Sequence, residues 1–91
     1  MLVKIRSNNK RKRMQIFVKT MTGRSFTVNV NENDPVDEVK KKIYEITGLD
    51  PTQQKLLFGG ETLEDKNTLK DYGIIKESTV FVVSILAGGS Y

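Results

Sequence analysis

DPVDEVKKKIYEITG, residues 34–48, is the stretch that decides the fold. Asp34 followed by Pro35 predicts an N-cap and a first helical residue, because the carboxylate can accept an orphaned amide and proline at that position loses no hydrogen bond. Asp37 completes a weak capping-box spacing and, with Glu38, sets negative charge at the positive end of the helix dipole. Val36, Val39, Ile43 and Ile46 recur every three or four residues and predict one apolar stripe, with Lys40, Lys41 and Lys42 crowding the remainder. Gly48 is a natural C-terminal stop. The spacing predicts a helix over about 35–47, and no other stretch has comparable periodicity. One helix with one apolar stripe needs a sheet to lie on.

Working outward, the flanking segments supply strands. Met14, Ile16 and Val18 alternate with Gln15, Phe17 and Lys19, and Phe26, Val28 and Val30 alternate with Thr27 and Asn29. Thr20-Met-Thr-Gly-Arg24 between them reads as a hairpin turn. After the helix, Leu49-Asp-Pro51 breaks the chain and Lys55–Phe58 is a short apolar strand. Gly59-Gly60 turns it back into a short return strand at Glu61-Thr62. Leu63 and Leu69 read as core anchors in a loop-rich stretch, and Asp71-Tyr-Gly-Ile74 as a tight turn. A last strand over 79–85 faces Val80 and Val82 inward. Strand, strand, helix, strand, short strand, strand predicts an α+β roll, or β-grasp. In that fold a mixed four- to five-stranded sheet carries one main helix, and the crossover favours a parallel pair.

Composition narrows the chemistry. Ninety-one residues make one domain with one core. The chain has no cysteine and no histidine, which excludes disulfides, thiolate catalysis, imidazole acid–base chemistry and an ordinary zinc site. No apolar run approaches a membrane span, and Met1-Leu-Val3 is too short for a signal-peptide core, so the expectation is a cytoplasmic or nuclear protein with no membrane partner. The net charge of +4 is unevenly spread. Residues 1–13 hold six bases (Lys4, Arg6, Lys10, Arg11, Lys12, Arg13) and no acid, leaving nine bases against eleven acids in the other 78 residues. The first thirteen residues read as a basic, disordered extension, with Leu2, Val3 and Ile5 a candidate short strand within it. Four consecutive bases suit an import receptor or nucleic acid, and equally a solvated tail.

Met14-Gln-Ile-Phe-Val-Lys-Thr20, Gln53-Gln54, Leu63-Glu-Asp65, Thr68-Leu69, Asp71-Tyr72, Lys76-Glu-Ser-Thr79 and Gly88-Gly89 closely resemble the ubiquitin family, without a gap from Met14 to Gly89. The resemblance implies a domain over 14–86, a tail over 87–91, and a monomeric modifier without cofactor. Such a modifier is joined through its terminal glycine carboxylate to target amines by activating and conjugating enzymes. Gly88 and Gly89 are then the conjugation residues. Ser90-Tyr91 must be removed by a processing protease cutting between Gly89 and Ser90, unless they begin a longer polypeptide. Six extended residues from Ser84 to Gly89 reach roughly 20 Å, enough to thread a narrow channel, and glycine passes where a Cβ would clash.

The resemblance also implies a recognition patch at Met21, Leu57, Phe81 and Val83, with Phe81 replacing the usual histidine. Ubiquitin-binding domains are the partners it suits. Ile85, Leu86 and Ala87 occupy the tail-recognition segment, and Ile85 and Ala87 stand where ubiquitin has arginines. That leaves either a dedicated activating enzyme or no conjugation at all. Lys19, Lys42 and Lys76 match chain-forming lysines, whereas Arg24, Ile46 and Glu61 replace three others. The Met14 amine is lost to a peptide bond. Lys40 borders the apolar stripe, and the family pattern pairs it with Asp65 as a structural ion pair.

An enzyme is not expected. Asp37-Glu38 suits helix capping, Glu64-Asp65 serves Lys40, and Gly59-Gly60 lacks the lysine and hydroxyl of a phosphate loop.

Overall fold

The computed structural model describes residues 13–85. The expectations for the first twelve residues, and for Leu86 to Tyr91, lie outside the described residues. The chain runs β1 (Arg13–Thr20), β2 (Ser25–Asn31), α1 (Val36–Thr47), β3 (Gln54–Phe58), β4 (Glu61–Thr62) and β5 (Thr79–Ser84), with 3-10 turns at Pro51–Gln53 and Lys70–Tyr72. The five strands form one mixed sheet in the order β2-β1-β5-β3-β4, as a β-grasp requires. β1 and β2 pair antiparallel as a hairpin, β3 pairs antiparallel with both β4 and β5, and the parallel pair is β1 with β5.

The alternation read from the sequence sets the two faces of the sheet. Ile16, Val18, Val28, Val30, Leu56, Val80 and Val82 are buried on the inner face, where α1 lays down Val36, Val39 and Ile43. Leu49, Leu63, Leu69 and Ile74 close the same core from the loops. Asp50 starts the first 3-10 turn. Its carboxylate accepts both the hydroxyl and the amide of Thr52, and these two bonds hold its pKa below the ordinary aspartate value.

The start of the helix differs from the sequence expectation. Pro35, with extended backbone, is the N-cap, and the first helical residue is Val36; no side chain caps the helix. Asp34 lies one residue further out, where its Oδ2 accepts the Asn31 amide at 2.9 Å. Asp37 makes no capping-box bond, although it and Glu38 do sit in the first turn. The orphaned amides are met by distant backbone instead: Val36 N–H donates to the Asn67 carbonyl (2.9 Å) and Asp37 N–H to the Asp65 carbonyl (3.2 Å). Leu69 N–H and Lys70 N–H in turn donate to the Asp34 and Glu32 carbonyls, so the loop after β4 is stitched to the helix start. Tyr72 holds that loop from behind, its hydroxyl oxygen accepting from Glu64 N–H and Asn67 Nδ2.

Two further boundaries shift. Ile46 is 46% exposed and is not part of the buried stripe, because the helix face rotates beyond the sheet's edge in its last turn. β5 ends at Ser84, one residue before the expected Ile85.

Gly48 closes the helix at φ 80°, with its N–H on the Tyr44 carbonyl. A Cβ there would meet nothing within 4 Å, so the only penalty for a side chain is the left-handed backbone. Gly48→Ala should therefore lower unfolding free energy by about 1 kcal/mol. In chemical denaturation this appears as a lower midpoint at unchanged slope; an unchanged midpoint would show that the backbone relaxes without strain.

Candidate functional site

The outer face of the sheet collects the residues of the expected patch through strand register alone. Leu57 on β3 lies directly opposite Phe81 on β5, and Val83 lies opposite Lys55. Lys19 on β1 is the partner of Phe81 on its other side. Met21 follows Thr20, which pairs with Val82, so it falls beside Val83 at the end of the parallel ladder. Met21 is 60% and Phe81 46% exposed, while Leu57 and Val83 are half-buried. Four apolar side chains from three segments thus share the outer face of the sheet rather than lying scattered over the surface.

Sequence reasoning left out Phe17. It lies opposite Thr79, two residues before Phe81 on the neighbouring strand, and is 39% exposed. Diagonal neighbours are within reach of aromatic side chains, so Phe17 extends the apolar strip onto β1. Its signal was present in the β1 alternation, which puts an aromatic on the solvent side. The charged residues facing outward from β1, β3 and β5 are Arg13, Lys19 and Lys55, all cationic.

The C-terminal strand leaves the sheet next to this patch. Ser84 pairs with Gln54, and the Ile85 N–H still donates to the Gln53 carbonyl at 2.9 Å. The Ile85 side chain is exposed. Of the tail-recognition residues, Leu86 and Ala87 lie outside the described residues, as do Gly88, Gly89 and Ser90.

The lysines fall on three different sides. Lys19 stands within the outer face, Lys76 is exposed in the loop before β5, and Lys42 is half-buried beside β2. Lys40 differs from all three. Its ammonium meets Asp65 Oδ1 at 2.6 Å, with its side chain 11% exposed against 62% for Asp65. The loop stitched to the helix start delivers Asp65 to that position. By contrast, the Lys41–Glu38 pair at 3.2 Å is fully on the surface and adds little stability.

Gln54 is a structural residue that the sequence did not flag. Buried, it donates through Nε2 to the carbonyls of Lys40 (2.8 Å) and Leu49 (2.9 Å), tying β3 to the end of the helix region. Among the described residues, no group of three or more acidic side chains is placed to hold a metal, and no helix is long and apolar enough to cross a membrane.

Comparison with known proteins agrees with this architecture. The model of the Ubiquitin family matches residues 16–86. The chain is similar to Ubiquitin-like protein NEDD8 of Dictyostelium discoideum, with 34% identity over 76 residues, covering 84% of this chain and 99% of that protein. It is similar to NEDD8-like protein RUB1 of Saccharomyces cerevisiae, with 35% identity over 77 residues, covering 85% and 100%. AN1-type zinc finger protein 4 of Mus musculus is 36% identical over 76 residues, which are 84% of this chain but 10% of that protein.

Proposed function

Since the chain belongs to the ubiquitin family, we propose that it is a protein modifier, processed after Gly89 and conjugated through the Gly89 carboxylate to amines on target proteins. The observation that carries this reading is coverage. The chain aligns over 99–100% of the NEDD8 and RUB1 relatives, and its own diglycine follows a few residues after β5. The body then acts as an inert handle. An activating enzyme consumes ATP to make the Gly89 acyl-adenylate and passes the acyl group to its thiol, and a conjugating enzyme delivers it to a lysine amine as an isopeptide. Ile85 and Ala87 suit an activating enzyme that does not depend on basic tail residues. Lys19, Lys42 and Lys76 are the proposed acceptors for chain growth. Lys40 is excluded from that set by its buried amine.

The test is mass spectrometry of the chain recovered from its own cells, paired with incubation in lysate with ATP. The expected result is a mature chain ending at Gly89 and a ladder of adducts that disappears when Gly88 and Gly89 are deleted. A chain that retains Ser90-Tyr91 and forms no adduct overturns conjugation.

The second reading, a ubiquitin-like domain that docks without being conjugated, is favoured by the exposed strip and by the match to one-tenth of a much longer protein. In that reading Leu57→Ala with Phe81→Ala should weaken capture by ubiquitin-binding helices at least about tenfold, since central apolar anchors carry most of an interface's energy. Equal binding by the variant would place the contact elsewhere. In either reading we assign the protein to cytoplasm and nucleus, with residues 1–13 as the segment whose deletion tests nuclear entry.

A further inference from the structure

Among the described residues the sheet has two edges, and they are unequal. β4 is two residues long, whereas β2 presents seven residues, Ser25-Phe-Thr-Val-Asn-Val-Asn31, with no proline and no charged side chain. Charge and proline are the usual devices that keep a free edge from pairing. Hydrogen-bonded and non-bonded pairs alternate along an antiparallel ladder, and Thr20 N–H donates to the Arg24 carbonyl at the hairpin end. The pairs Val18–Phe26, Ile16–Val28 and Met14–Val30 therefore direct their bonds inward, and Ser25, Thr27 and Asn29 turn amide and carbonyl away from β1. The Asn31 amide is already taken by Asp34. Thr27 and Asn29, symmetric about Val28, form the centre of the open edge. Above these same three residues lies a groove of about 240 Å³ between β2 and α1, lined by Thr27, Val28, Asn29, Lys42, Glu45 and Ile46.

We propose that β2 is a self-association edge, on which a second copy of this chain pairs its own β2 antiparallel about a two-fold axis at Val28. Thr27 of one protomer then lies opposite Asn29 of its partner, twice, which makes four backbone hydrogen bonds. The register keeps Phe26, Val28 and Val30 on the inner face of both copies, so the alternation continues unbroken across ten strands. Both α1 helices fall on the same side of the joined sheet. Because the groove is centred on the axis, Lys42 faces the partner's Glu45 and exposed Ile46 approaches the partner's Ile46. Charge complementarity favours a second copy as occupant: the groove carries one base, Lys42, and one acid, Glu45, and two-fold pairing sets each against its opposite on the partner. Four bonds and one groove make a small interface, so the chain is a monomer when dilute and pairs on the order of 1 mM. The proposal does not depend on conjugation.

Sedimentation equilibrium of the full chain from about 10 μM to about 1 mM tests it. The expected result is a mass rising toward that of two chains. Asn29→Pro removes an outward amide and no bond to β1, and should abolish the rise. Lys42→Glu and Glu45→Lys should each weaken association about tenfold, and the double exchange should restore it. Circular dichroism melting verifies that each variant is folded. A strictly monomeric chain at 1 mM overturns the proposal. So does an edge that takes an unrelated extended peptide but not its own copy, or a dimer insensitive to Asn29→Pro and to the exchange.

Discussion

Leu56→Ala is expected to lower unfolding free energy by about 3 kcal/mol. Leu56 is completely buried at the middle of β3, faces Val82 across the ladder, and its carbonyl anchors Leu63 N–H where the chain leaves β4. Truncation removes three carbons from a fully buried site held by β5 on one side and by the bonded Leu63 backbone on the other, which leaves little freedom to collapse into the space. In urea the midpoint should fall by about 1.5 M, given the slope of about 2 kcal/mol/M usual for a small domain. A loss under about 1 kcal/mol would mean that the core around β3 is loose enough to refill.

The second large effect is an asymmetry. Asp65→Asn should cost about 2 kcal/mol, and Lys40→Met less than about 1 kcal/mol, although the two substitutions break the same ion pair. The reason lies in the unequal burial of the partners. Removing the Asp65 charge leaves an ammonium beneath the loop, 11% exposed, without a counter-ion. Removing Lys40 leaves a carboxylate that is 62% exposed and stays hydrated, while methionine fills the channel with an apolar chain of similar length. Equilibrium denaturation of both variants measures the order. Should Lys40→Met be the worse of the two, the attraction itself would be the stabilising element and desolvation of the lysine a minor one.

The conjugation chemistry proposed for Gly89 was legible only as a resemblance and a tail. The patch was legible further. Alternation along β3 and β5 puts Leu57, Phe81 and Val83 on the outward side, and strand pairing then brings them together. Phe17 was visible by the same alternation but not as a neighbour of Phe81, because which strands adjoin is a property of the sheet and not of either strand.

By itself the sequence determined one helix with one buried stripe, the in-and-out pattern of every strand longer than two residues, the hairpin, and the diglycine after the last strand. These are local: periods of 3.6 and 2 are written in neighbouring residues. Tertiary structure decided that loop carbonyls, not Asp34, cap the helix; that Gln54 bridges to Lys40 and Leu49; that Ile46 faces solvent; and that, among the described residues, β2 is an edge strand. Each of these depends on which distant backbone reaches a donor, an acceptor or a surface. Apart from the Gln54–Leu49 bond, which spans five residues, the partners are far apart in sequence, so such contacts are settled only when the fold closes.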